Sequence, residues 1–101
     1  MSSKNSTSST STGFKKGDKV YIKGSSVTVY SYPEIKSQWI LGNIPKSVVK
    51  DLPFGTWDSS ANSNFDKVAV GAYLNVNGEL VKSSSPKIVY LLKNQISQTP
   101  F

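Results

Sequence analysis

The polar and apolar positions divide this chain near residue 13. Between Ser2 and Gly13 there is only Ser, Thr, Lys, Asn and Gly. Such a stretch cannot bury enough surface to offset the entropy of ordering it, so residues 1–13 read as a flexible linker. From Phe14 onward, apolar residues recur in short runs separated by turn-forming residues. Gly17-Asp18 signals a turn, and Val20 to Lys23 reads as a first strand. Gly24-Ser25-Ser26 signals a second turn. Val27 to Tyr32 then alternates with period two, the pattern of a half-buried strand. Val27, Val29 and Ser31 share one face, with Thr28, Tyr30 and Tyr32 on the other. Pro33 ends that strand.

Trp39-Ile40-Leu41 forms a short apolar run closed by Gly42-Asn43. Residues 44–52 fit two readings. As helical turns they place Ile44, Val48 and Leu52 on one face, with Pro45 tolerated early; as a strand they follow a proline bend. Residues 53–65 carry turn residues throughout and three aromatics, Phe54, Trp57 and Phe65, and read as the longest loop after the linker. Long loops in small domains often carry function. Residues 66–76 read as extended, with a bend at Gly71. Asn77-Gly78 then fits the two positive-φ positions of a type I′ turn, predicting a hairpin between Tyr73–Val76 and Glu79–Lys82. Ser83 to Pro86 reads as a loop. Lys87 to Leu92 reads as a last, central strand because its apolar run is unbroken after Lys87. Short strands at even spacing with Gly, Asn and Ser turns predict a small all-β barrel or sandwich.

Length adds that this is one domain: 101 residues, of which residues 14–101 are expected to fold. The longest apolar runs have about five residues, against about 20 for a membrane span and about 7 for a signal-peptide core, so neither is expected. The net charge is +6, from twelve lysines and six acids, with no arginine. Arginine supplies the bidentate contacts that read phosphate and guanine. Its absence weighs against sequence-specific nucleic-acid recognition. Diffuse lysine charge suits a polyanion met as a field, or simply keeps the protein soluble.

Chemistry narrows the picture further. The chain has no His and no Cys, which removes the usual bases, thiol nucleophiles, disulfides and thiolate metal sites. The acids Asp18, Glu34, Asp51, Asp58, Asp66 and Glu79 mostly stand beside turn residues, where carboxylates commonly serve turns and caps. Residues 58–64 superficially resemble a calcium loop but lack its Gly and terminal Glu, and read as an ordinary loop. No enzyme activity, cofactor or metal is expected. The aromatics are the stronger signal. Flat rings stack on the apolar C–H faces of sugars, and Tyr and Trp also hydrogen-bond. Alternation assigns Tyr21, Tyr73 and Tyr90 to the core. Tyr30, Tyr32, Phe54 and Trp57 are the candidate ligand contacts, with Lys46 and Lys50 as a basic rim.

The segment Phe14-Lys15-Lys16-Gly17-Asp18-Lys19-Val20-Tyr21-Ile22-Lys23, preceded by a Ser/Thr linker, resembles the opening of the bacterial SH3-type cell-wall-binding domain of endolysins from phages of Gram-positive bacteria. Many of those domains begin with a Gly-Asp-x-Val element after such a linker. The resemblance spans residues 14 to 93. It implies an SH3-like barrel of five to seven short antiparallel strands, with at most one short helical turn. It also implies a noncatalytic module that binds peptidoglycan or an attached wall polymer and holds a lytic catalytic domain, covalently or noncovalently associated, near its substrate. The protein would be phage-encoded, made in the host cytoplasm and active at the cell wall. Met1 before the linker fits either a cloning start or an internal start. An internal start would release a free binding domain, for which a homo-oligomer is expected. The alternative functions are a nonspecific single-stranded nucleic-acid-binding barrel and a phage structural or assembly domain.

Overall fold

The computed structural model describes residues 13–100. The linker assigned to residues 1–13 therefore lies, apart from Gly13, outside the described residues. Seven antiparallel strands form the fold: β1 (Lys19–Ile22), β2 (Ser26–Tyr30), β3 (Ile40–Pro45), β4 (Gly55–Ser60), β5 (Phe65–Asn75), β6 (Leu80–Leu92) and β7 (Ile96–Ser97). One helical turn, α1 (Lys46–Val49), follows β3, and 3-10 turns occupy Ser37–Trp39 and Lys93–Gln95. The expected all-β class is present, with two 3-10 turns beyond the single helical turn foreseen.

The strand order is β3-β2-β6-β5-β4-β1-β7, with a further pairing of β3 to β5. That pairing closes a ring of β3, β2, β6 and β5. The ring closes because β5 serves two neighbourhoods. Its first half lies between β4 and β6, and its second half, at Leu74 and Asn75, meets β3. Between the two halves the β5–β6 register is interrupted at Gly71, where the sequence placed a bend in β5, but the extra residues belong to β6. A hairpin forms at Asn77-Gly78, but not through the type I′ turn the sequence predicted: Gly78 has φ +82° while Asn77 does not take a positive φ, and Asn75 N–H bonds the Glu79 carbonyl across a three-residue loop, Val76 to Gly78.

The core is aliphatic. Val20, Val27, Val29, Val68, Val70, Val89 and Leu91 are buried where successive strands point them inward. At its N-terminal edge Phe14 stacks on Trp57, with centroids 5.9 Å apart and planes 7° apart. Removing a buried Phe ring commonly costs about 3–5 kcal/mol. Phe14→Ala is therefore expected to lower the urea midpoint by about that much stability, and a loss under about 1 kcal/mol would show the ring to be peripheral.

Several local readings are corrected. Residues 53–65 are not one loop, because Gly55–Ser60 form β4, paired to both β1 and β5. Its side chains are mostly half-buried rather than alternating, and a bulge at Asp58 disturbs the pattern further. Ser83 to Pro86 is not a loop between strands. It is an excursion within β6, where four residues lie opposite Gly71 between the Val70–Lys87 and Ala72–Lys82 pairs. Pro86 has no N–H to give the ladder, which suits it to that place. Lys87–Leu92 is central, lying between β2 and β5, but it alternates: Val89 and Leu91 are buried while Ile88 is exposed. Residues 44–52 divide between the two readings. Ile44 and Pro45 end β3, and Lys46–Val49 make one helical turn that stops at Lys50, whose φ is +55°. Val49 packs on the core, whereas Val48 and Leu52 are exposed, so Ile44, Val48 and Leu52 share no buried face. Of the three tyrosines assigned to the core, Tyr73 is buried and Tyr21 and Tyr90 are half-buried.

Candidate functional site

Strands β2 and β3 pair antiparallel, and the nine residues from Ser31 to Trp39 connect them. This connection is built from short-range bonds. Ser31 donates its N–H (2.7 Å) and its hydroxyl (3.2 Å) to the Trp39 carbonyl, which pins the base of the loop. Within it, Glu34 N–H bonds the Tyr32 carbonyl, Lys36 N–H the Glu34 carbonyl, and Trp39 N–H the Lys36 carbonyl. The loop is therefore shaped before any ligand arrives.

On this frame the Tyr32 ring is 53% exposed and lies 5.1 Å from the Trp39 ring, tilted by 41°. Glu34 accepts a 2.9 Å hydrogen bond from Trp39 Nε1 and stands 3.6 Å from the Lys36 ammonium. The far side of the loop is tied to the turn after β4, where Asn62 Nδ2 donates to the Pro33 carbonyl at 3.0 Å. That turn is itself fixed, since Asn62 Oδ1 accepts the N–H groups of Asn64 (2.8 Å) and Phe65 (2.9 Å).

Between these segments and the 3-10 turn after β6 lies a cleft of about 270 Å³. Ile35 and Leu92 give it apolar surface, and Ser63, Asn64, Lys93 and Asn94 give it polar surface. Lys93 is held from beneath: its ammonium bonds Asp66 Oδ1 at 2.5 Å and Ser60 Oγ at 3.0 Å, and its N–H bonds the Asn64 carbonyl. A larger open hollow, of about 400 Å³, lies over Thr28, Ile40, Asn43, Asn75 and Val76. It offers no aromatic face, and its Asn75 is committed to the hairpin through bonds to Asn77, Glu79 N–H and the Glu79 carboxylate. The smaller cleft, with an aromatic pair on the same loop, is the better-equipped site.

The residues singled out in the sequence are not gathered here. Tyr30 is 5% exposed and meets Phe65 edge to face at 5.1 Å. The β2–β3 register shifts between Val29 and Tyr30, so both turn inward and the two-residue alternation breaks. Tyr32 is exposed on the loop just described. Phe54 packs against the core and donates its N–H to the Val20 carbonyl. Trp57 lies on β4 against Phe14, its Nε1 buried without a partner. Lys46 begins α1 and Lys50 ends it. None of Tyr30, Tyr32, Phe54, Trp57, Lys46 and Lys50 lines the cleft, and neither does Trp39. Trp39 and Ile35 were missed as site residues. The available signal was their position in a Pro-containing connection between two antiparallel strands.

Five of the six acids serve structure. Asp18 caps Lys15 N–H, Asp58 accepts from Ser59, and Glu34, Asp66 and Glu79 are engaged as described. Among the described residues no three His, Cys, Asp or Glu side chains cluster as metal ligands, and no helix is long and apolar enough to cross a membrane. Comparison with protein-family models, curated proteins and solved structures finds no match.

Proposed function

We propose that this chain is a noncatalytic module that binds the Gram-positive cell wall, through peptidoglycan or an attached wall polymer, and so targets a peptidoglycan hydrolase to it. The observation that carries the reading is the preformed pair of Tyr32 and Trp39 on the loop that also gives Ile35 to the cleft. An exposed ring such as Tyr32 takes the apolar face of a sugar, and a half-buried ring already fixed, as Trp39 is by Glu34, loses little freedom on binding. Small ligands commonly enter at the mouth of a β-barrel, between loops. The Ser/Thr-rich segment before Gly13 and the Gly17-Asp18-Lys19-Val20 element add the resemblance to wall-binding modules of phage endolysins.

A fluorescently tagged copy is expected to decorate intact Gram-positive cells and their purified walls. Trp39→Ala and Tyr32→Ala are each expected to weaken that binding by about tenfold or more, since central aromatic anchors dominate such contacts. Unchanged binding in both variants would place the ligand elsewhere.

A second reading, self-assembly of the domain, draws on one feature. Val48 and Leu80 are exposed beside a small apolar hollow also lined by Pro45, Ala72 and Leu74. Sedimentation of a clean monomer at high concentration would exclude it.

A further inference from the structure

The candidate cleft is electrically balanced although the protein is not. The chain carries a net charge of +6. On either side of Ile35 in the loop, Lys36 stands 3.6 Å from Glu34, and the cleft's own Lys93 is bonded to Asp66, so each cation has its own anion. Asp66 is 0% exposed and its Oδ2 has no hydrogen-bond partner, so its charge rests on Lys93. That lysine has no charge left over for a ligand. Lysines with no acidic partner among the described residues, such as Lys19, Lys23 and Lys82, stand on β1, the turn after it and β6, and none of these lines the cleft. A phosphate entering beside Ile35 would find no unpaired cation among the residues that line the cleft.

What the cleft offers is neutral. The Asn64 and Asn94 side chains each present a carboxamide that both donates and accepts, and Ser63 presents a hydroxyl. Asn62 is unavailable, its oxygen and nitrogen both being used to hold the turn and the loop. Ile35, 63% exposed, supplies an apolar wall together with Leu92. Acetamido groups match this set: an N–H and a carbonyl for the carboxamides, and a methyl for the apolar wall. A volume of about 270 Å³ lies just under the range of about 300–1,000 Å³ typical of drug-sized sites, which suits one sugar ring with its acetamido arm.

Resting on the wall-binding reading above, we infer that the cleft takes an uncharged, acetamido-bearing segment of the glycan strand and rejects the anionic polymers attached to the wall. The test uses the full chain with four probes: whole walls, walls stripped of attached polymer, purified teichoic acid, and chitotetraose as a soluble competitor. Binding is expected to survive stripping and to be competed by chitotetraose but not by teichoic acid. It is expected to change less than about twofold between 50 and 500 mM NaCl, because no exposed charge pairing is to be screened. Asn94→Ala and Ile35→Asp, both at exposed positions, are expected to weaken binding to stripped walls by about fivefold or more. Binding lost on stripping, competed by teichoic acid, or falling tenfold with salt would overturn the inference and leave the wall-binding reading standing. Failure to bind whole walls at any salt would overturn both.

Discussion

Gly42→Ala is expected to unfold most of the protein. Gly42 is buried in β3 at the point where β3 meets β5, paired to Asn75. A Cβ there would lie 1.7 Å from the Leu74 carbonyl oxygen, 2.7 Å from its carbonyl carbon and 2.8 Å from Asn75 Cα. All three are backbone atoms, so no side chain can swing aside. The strands must separate, and the β3–β5 pairing that closes the barrel must go with them. Costs above about 4 kcal/mol are rare for single substitutions and arise from clashes of this kind. Against a total stability of about 5–15 kcal/mol, such a loss consumes most of what a domain this small holds. Urea denaturation followed by Trp fluorescence measures it. Gly71→Ala is the control: a Cβ there meets nothing within 4 Å, and its effect is expected to stay within about 1 kcal/mol, in the stabilising direction if the unfolded chain loses freedom. Equal effects at the two glycines would remove the steric argument.

The contrast also marks what was legible in the sequence. The strand class followed from short alternating runs, because Val20, Ile22, Val27 and Val29 recur at the period that buries one face. The hairpin's place followed from Asn77-Gly78 but its turn type did not, since only Gly78 takes the positive φ and the loop has three residues. The barrel's closure did not follow, since nothing in Gly42 itself reveals that a carbonyl from residue 74 will press on it. Strand β4 was hidden because its side chains are half-buried and Asp58 interrupts the register. Strand β7 was hidden because Ile96–Ser97 are only two residues, paired to Tyr21 and Ile22 from the other end of the chain. The site was legible in kind and not in place. Tyr32 was singled out at the end of a strand stopped by Pro33, but β2 stops at Tyr30 and the ring is exposed on the loop that follows. Tyr30 was misplaced because a bulge one residue long reverses its face. Trp39 becomes distinctive only through Glu34, and Ile35 only through an Asn62–Pro33 contact across 29 residues.

The Asp66–Lys93 pair should respond unequally to loss of its two halves. Asp66 opens β5 and is 0% exposed, while the Lys93 side chain is 20% exposed on the turn that follows β6. Lys93→Met strands a fully buried carboxylate whose Oδ2 already lacks a protein partner. Removing one member of a buried pair costs about 3–5 kcal/mol, and this variant belongs in that range. Asp66→Leu strands an ammonium instead. Its aliphatic stem can carry the charge outward to water, as long cationic side chains do, so a smaller loss of about 1–3 kcal/mol is expected. The double variant Asp66→Leu/Lys93→Met removes both charges together. It should recover much of the single-variant losses, because a buried ion pair is often no better than an apolar pair of similar size. Urea midpoints of the four proteins give the coupling directly, expected at about 2 kcal/mol or more. Strict additivity would mean that each charge finds another partner when its own is removed, and the pair would then be a contact of convenience rather than the tie between β5 and the turn that borders the cleft.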